Sequence, residues 1–203
     1  MTADPGTGVG AAVAALRAGL VVVVPTDTVY GVAAATSVPG STAALFRVKQ
    51  RPTTVAVPVL CADEQSARTL AGPLSPCAER LVARCWPGPL TIVVPRRAGL
   101  GLDLGGGDDA TIGLRVPDAP VVRAIAAQVG PLACTSANRH GEPTPASASE
   151  AAAALGPGVA AVVEGGSLAG QPSTVVALLD GAPRILRQGA LPAATIEAVL
   201  RDG

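Results

Sequence analysis

Lys49 is the only lysine among the 203 residues, and it stands two positions before Arg51 in the string KQRP, Lys49 to Pro52. Fourteen arginines could serve solubility. An ammonium is a compact point charge on a flexible stem and is not interchangeable with a planar guanidinium. A lysine and an arginine side by side suit a polyanion such as a nucleoside triphosphate. The same pair also fits a solvated helix end whose cations meet the carbonyl dipole. The spacing alone does not separate the two.

Four further polar segments follow apolar runs, the place where ligands collect in open α/β sheets. They are PTDTVYG (Pro25 to Gly31), TIGLRVP (Thr111 to Pro117, with Arg115 at a strand end), CTSAN (Cys134 to Asn138), and PSTVV with ILRQG, which carry Ser173, Thr174 and Arg187. Taken singly, each also reads as structure: a turn and cap at Thr26-Asp27-Thr28, an Asx-type turn at Ser136 and Asn138, surface cations at the arginines. Neither GxxxxGK[ST] nor GxGxxG after a strand occurs, so a triphosphate site must be assembled from separate loops.

The composition narrows what such a site can serve. Hydrophobic residues make up 49% and charged ones 15%, with 24 Gly and 19 Pro, which describes a turn-rich α/β chain with a sizeable core rather than a disordered one. One domain over 1–203 is the expectation. Apolar runs such as Leu20 to Val24 are too short to span a bilayer, and MTADPGTG carries no charged start followed by an apolar stretch. A cytoplasmic location follows by default. Cys61, Cys77, Cys85 and Cys134 lack the paired spacing of a zinc site, and one His cannot complete it, so no protein metal site is expected and the cysteines read as buried thiols. Zero formal net charge removes any global attraction to nucleic acid, and one Trp, one Tyr and one Phe leave no stacking platform for bases. Cationic chemistry must therefore be local.

The elements that position these residues follow from period and punctuation. Helices are expected at Gly8 to Ala18 (Thr7 capping, Gly19 stopping), Ser41 to Gln50 (closed by Pro52), Asp63 to Ala71, Ser75 to Cys85, Pro120 to Val129, from Ser147 onward, and Pro192 to Arg201. Strands are expected at Leu20 to Pro25, Val55 to Cys61, Leu90 to Pro95, Thr111 to Val116, Leu132 to Thr135 and Val159 to Glu164. Ser173 to Leu179 and Arg184 to Gln188 are expected as a hairpin across Asp180-Gly181. Hairpins beside crossovers favour a mixed sheet over a parallel one. Gly99 to Asp109 (GLGLDLGGGDD) reads as a lid or a long loop.

Taken together and in order, PTDTVYG, KxRP, WPGPLT, LRVP, TSAN, STVV and ILRxG resemble the YrdC-like threonylcarbamoyl-AMP synthases over roughly Val21 to Gly189. The resemblance implies a twisted mixed sheet, parallel and antiparallel, flanked by helices and holding a concave, positively lined ligand cleft. It implies a nucleotidyltransferase that converts L-threonine, bicarbonate and ATP, with Mg²⁺, into L-threonylcarbamoyladenylate and diphosphate. The product serves the N6-threonylcarbamoyl modification of adenosine 37 in tRNA, handed on by a separate threonylcarbamoyl transferase complex. By the family pattern Lys49, Arg51, Ser136 and Asn138 surround the phosphates. Thr111, Thr144 and Arg187 lie on the ATP side, and Thr28, Arg115 and Ser173 hold the amino acid. Tyr30 and Cys134 belong to that pocket too. The chemistry explains these types: a carbamate approaching a triphosphate needs its repulsion offset by cations, and an arginine can grip a carboxylate with two parallel hydrogen bonds.

Some positions depart from that pattern. Val55 and Ala56 stand where relatives carry a basic or polar residue and then Pro, and Arg139-His140-Gly141 follows TSAN where x-S-G is common. The chain reads as the short form, without the extra C-terminal domain of longer members. Alternatives are a double-stranded RNA-binding or ribosome-maturation module with weak tRNA contact, a carbamoyltransferase domain of hydrogenase maturation, and a hydrolase using Ser136 with His140. The last lacks an obvious orienting carboxylate.

Overall fold

Four valines open the sheet: β1 (Val21–Pro25) is buried at every position. It alternates strictly, Val21 and Val23 entering one apolar layer and Val22 and Val24 the other. The computed structural model describes residues 8–107, 109–168, 170–179 and 182–201.

The strands that follow are β2 (Tyr30–Ala35), β3 (Val59–Leu60), β4 (Leu90–Pro95), β5 (Thr111–Arg115), β6 (Leu132–Ser136), β7 (Val159–Val162), β8 (Thr174–Ala177) and β9 (Arg184–Arg187). Among the described residues they form one sheet in the order β7-β1-β2-β6-β3-β5-β4-β8-β9. The pairs β1–β7, β3–β5 and β4–β8 are parallel and the rest antiparallel, which is the expected mixed sheet.

Seven helices accompany it among the described residues: α1 (Val9–Arg17), α2 (Ser41–Lys49), α3 (Glu64–Arg68), α4 (Pro76–Cys85), α5 (Pro120–Val129), α6 (Ala148–Leu155) and α7 (Ala193–Arg201). Local chemistry sets their ends. Ser75 and Ser147 cap α4 and α6, each hydroxyl accepting from a backbone N–H at 3.2 Å, and Asp63 with Ser66 makes a capping box on α3. Helix α2 stops because Gln50 turns left-handed, φ 52°, just before Arg51 and Pro52. No helix of the described residues is long and apolar enough to cross a membrane.

One face of the sheet is covered along its length by α2, α4, α6 and α7, through Leu45, Leu81, Leu155 and Ile196. Each such side chain, fully buried, contributes roughly 1.5–3 kcal/mol. On the other face α1 and α5 cover β1, β2 and β6, burying Leu16, Ile125, Val24 and Leu132. Among the described residues that second apolar layer takes in only Leu60 of the strands beyond β6, and the cleft described below is lined from β5, β4, β8 and β9.

Several expectations shift. Strand β2 was not anticipated: alanine and glycine are poor strand formers, and YGVAAA lies in a strand because it is buried between two neighbours. The strand expected at Val55 to Cys61 contracts to Val59–Leu60, because Arg51 takes the Val55 and Ala56 carbonyls and Pro58 has no N–H to pair. Helix α3 ends three residues early, and Gly8 rather than Thr7 occupies the cap of α1. Thr7, and the turn expected at Asp180-Gly181, lie outside the described residues, although β8 and β9 do pair antiparallel, Val176 opposite Ile185. The glycine-rich stretch is held rather than loose over residues 102–106. Val57 N–H donates to the Leu104 carbonyl at 2.9 Å, Gly106 N–H to the Thr53 carbonyl at 2.7 Å, and Arg96 Nη2 to the Leu102 carbonyl at 2.6 Å.

Candidate functional site

Strand alternation builds the cleft floor. In β4, Leu90, Ile92 and Val94 are fully buried in the core, while Thr91 and Val93 face the opening. In β5 Leu114 enters the core, while Thr111, Gly113 and Arg115 line the opening. Ser173 and Val175 do so around β8, and Arg187 at the end of β9. Residues 51–58 and 104–106 form one wall, and Thr26, Thr28, Cys134, Thr135 and Ser136 another. The cavity measures about 580 Å³, within the range of sites for substrates of nucleotide size. Gly113 leaves its floor open: a Cβ there would press on Pro58 Cβ at 3.2 Å.

Besides Arg96, which is paired with Asp109, three guanidiniums share this space, those of Arg51, Arg115 and Arg187. Burial lowers the proton affinity of each, and their mutual repulsion adds to it: Arg187 acts on both Arg51 and Arg115. The positive charges converge, as an anion-binding hollow requires.

Arg115 is the most tightly held. Its Nε donates to the Gly88 carbonyl at 3.1 Å, Nη1 to Thr28 Oγ1 at 3.2 Å and Nη2 to Asp27 Oδ1 at 2.5 Å. Thr28 is fixed in turn by Thr26, whose hydroxyl lies 3.0 Å from that of Thr28 and accepts the N–H groups of Thr28 and Val29. Arg187 reaches across from β9, Nη2 donating to the Ser173 carbonyl at 2.8 Å and hydroxyl at 3.2 Å, while Ser173 Oγ lies 2.8 Å from Thr91 Oγ1. Arg51 donates to the carbonyls of Val55 and Ala56, both at 3.0 Å, and so shapes the wall where the family pattern is broken.

Lys49 sits behind the cleft wall, at 1% exposure in the last turn of α2. Its Nζ donates to the carbonyls of Ser136 and Asn138, both at 2.7 Å, and approaches Ser136 Oγ at 3.4 Å and Asn138 Oδ1 at 3.3 Å. Burial first, and then the charge of Arg51, lower its pKa to about 8. Asn138 continues the clamp, Nδ2 donating to the carbonyls of Arg139 at 2.8 Å and Glu142 at 2.6 Å. Burial pushes the Cys134 thiol up to about 12, against the charges of Arg115 and Lys49, so it stays protonated. Lys49 and Asn138 thus organise the CTSAN loop, and Ser136 is the member of that set on the cleft surface.

Of the residues singled out from sequence, Arg51, Thr111, Ser136, Arg187, Thr28, Arg115, Cys134 and Ser173 surround the one cleft. Lys49 and Asn138 form the layer behind it. Tyr30 is fully buried and uses its hydroxyl on the 165–166 loop, donating to the Gly166 carbonyl at 2.7 Å and accepting the Gly165 N–H at 3.0 Å. Thr144 is half-buried in the following loop, away from the cleft lining. His140 is exposed, and Ser136 has Lys49 as its side-chain neighbour, which gives no support to a Ser–His pair. Sequence reading passed over Asp27, Thr26, Thr91 and Arg96. Asp27 and Thr26 sat inside a quoted motif, and Thr91 was the one polar residue in an apolar run.

Among the described residues no three His, Cys, Asp or Glu side chains come together to hold a metal ion, and the cleft lining includes no carboxylate.

The family model Sua5_yciO_yrdC, described as "Telomere recombination", matches residues 14–189. A Mycobacterium tuberculosis protein, provisionally named a threonylcarbamoyl-AMP synthase, is 38% identical over 202 residues, covering 98% of this chain and 93% of its own. The Bacillus subtilis threonylcarbamoyl-AMP synthase is 35% identical over 198 residues, covering 93% of this chain and 55% of the relative. The crystal structure of Pyrococcus abyssi Sua5 complexed with L-threonine superposes with a TM-score of 0.89 at 32% identity, over 95% of this chain and 57% of that one. This chain therefore spans somewhat more than half the length of those two relatives. It belongs to the Sua5/YciO/YrdC family.

Proposed function

We propose that this chain is an L-threonylcarbamoyladenylate synthase, a nucleotidyltransferase that forms the adenylate and diphosphate from L-threonine, bicarbonate and ATP supplied as its magnesium complex. The observation that carries the reading is the convergence of Arg51, Arg115 and Arg187 with the hydroxyls of Thr28, Thr111, Ser136 and Ser173 on one cleft. Relatives named for this activity and a neighbour holding L-threonine support it.

In this reading the cleft has two ends. Arg115, Thr28 and Ser173 receive the amino acid, its carboxylate meeting Arg115 beside the Thr28 hydroxyl. Arg51, Ser136, Thr111 and Arg187 receive the triphosphate, with Lys49 and Asn138 fixing the Ser136 loop from behind. The neutral threonine nitrogen bonds to the bicarbonate carbon, and one C–O bond of bicarbonate breaks. That oxygen leaves as water with a proton from the nitrogen, which gives a carbamate. A carbamate oxygen then attacks the α-phosphorus, the bond from that phosphorus to the bridging oxygen breaks, and diphosphate leaves with the electron pair. No side chain need remove a proton in that displacement, because the carbamate is already an anion. Charge stabilisation and positioning supply the rate, and loss of one such group costs on the order of 10²–10³-fold. The adenylate passes to a separate transferase that modifies tRNA adenosine 37.

The test is direct. Purified protein with L-threonine, bicarbonate and magnesium-ATP is expected to yield threonylcarbamoyl-AMP by mass spectrometry, with diphosphate release dependent on threonine. Diphosphate release that ignores threonine, or no adenylate, overturns the reading.

A further inference from the structure

We infer that Thr91 is a positioning residue for the amino-acid end of the cleft: with Arg187 it fixes the Ser173 hydroxyl as a hydrogen-bond donor aimed at a carboxylate. The inference rests on the placing of Ser173 in the threonine subsite. Thr91 lies on β4 opposite Val175 of the parallel strand β8, so it faces the residue just before β8 across the ladder. Both residues are buried, at 2% exposure for Thr91 and 5% for Ser173, and both line the cleft.

Counting protons shows that the pair has one to spare. A hydroxyl has one proton to donate and two lone pairs to accept with. Ser173 Oγ already accepts from Arg187 Nη2 at 3.2 Å and shares a 2.8 Å contact with Thr91 Oγ1. The two hydroxyls hold two protons between them, and their mutual bond uses one. When Thr91 donates, both lone pairs of Ser173 are filled and its own proton must find an acceptor outside the pair. The second proton has the cleft before it. A ligand there is met by a fixed donor, so an anionic oxygen is matched and an ammonium is not.

The arrangement also links the two ends of the site. Arg187 holds Ser173 through the carbonyl, at 2.8 Å, as well as through the hydroxyl. An anion that draws Arg187 towards the triphosphate end therefore acts on the residue that reads the amino acid.

The test uses the full chain and calorimetric titration of L-threonine, with steady-state constants alongside. Thr91→Val keeps the shape and removes the hydroxyl. It is expected to weaken L-threonine binding about tenfold, the worth of one well-placed hydrogen bond, and to leave KM for ATP within about twofold. Thr91→Ser restores binding. The double variant Thr91→Val with Ser173→Ala binds no worse than Ser173→Ala alone, since both changes remove one device. If Thr91→Val fails to fold, Thr91→Ala is titrated in its place. Unchanged threonine affinity without the Thr91 hydroxyl, failure of the serine variant to restore it, or additive losses in the double variant overturn the inference. If Ser173→Ala itself leaves threonine binding intact, the placing of Ser173 has failed and this inference falls with it.

Discussion

Asp27 and Arg115 form an ion pair at 2.5 Å with side-chain exposures of 12% and 6%, and the second carboxylate oxygen of Asp27 is buried without a hydrogen-bond partner. The pair neutralises the arginine that faces the cleft and holds it to one rotamer, while Gly88 and Thr28 take two more of its donors. Arg115 can therefore meet a carboxylate without reorganising, at the cost of part of its attraction.

Asp27→Asn tests that balance. Breaking one partner of a buried pair typically costs about 3–5 kcal/mol, so a lower thermal midpoint is expected. The threonine requirement should rise several-fold while that for ATP stays close to wild type. Equal rises in both would place Asp27 in general folding rather than at the amino-acid end.

Lys49 predicts opposite pH trends for activity and stability. Its pKa is about 8 in the fold against an ordinary 10.5. Between these values the unfolded chain binds a proton that the folded chain does not, so this group's contribution to stability rises with pH across that window and is flat below it. Activity should instead decline above about pH 8, as the clamp on Ser136 and Asn138 loses its charge. In Lys49→Met the alkaline limb should vanish and turnover should fall on the order of 10²–10³-fold. The gap in melting temperature between wild type and this variant should widen from pH 8 to 10. A constant gap would refute the lowered proton affinity of Lys49.

Arg51→Ala and Arg187→Ala are expected to differ. Arg51 shapes the wall at Val55 and Ala56, so its loss should raise KM for ATP with little effect on threonine. Arg187 grips Ser173, so its loss should raise both constants. Indistinguishable kinetic profiles would contradict this division.

Packing beneath the cleft offers a rescue experiment. A Cβ at Gly31 would meet Cys134 Sγ at 2.6 Å, diagonally across the β2–β6 ladder, where Gly31 pairs with Ser136 and Cys134 with Ala33. Gly31→Ala should destabilise by about 1–3 kcal/mol, and adding Cys134→Ala should recover most of it. Denaturant midpoints check this, and losses that simply add would show that the clash lies elsewhere.

Much of this site was legible once its segments were taken together and in order, because those polar segments punctuate apolar runs. Arg115 closing TIGLR and Ser173 preceding TVVA could be placed by strand period alone. The helix carrying Lys49 was legible from its closing Pro52. What could not be read was pairing at long range. Asp27 lies 88 positions from Arg115, and nothing local at either residue signals the other. Nor could β2 be seen, since its strand conformation comes from neighbours rather than from its own alanines. Lys49 was recognised as unusual, but which way its ammonium points depends on the path of the CTSAN loop after β6. Thr91 went unnoticed for a related reason: a single hydroxyl in LTIVVP matters only once the cleft face of the sheet is known.

Along β4 the chain alternates Leu90, Thr91, Ile92, Val93, Val94, so that odd and even positions answer to different demands. A single inserted or deleted residue there would exchange the two sets at once, pushing Thr91 into hydrocarbon and bringing Ile92 to face the ligand. Drift in this strand is thus confined to point replacements of matching parity, and substrate preference can be retuned only at every other step.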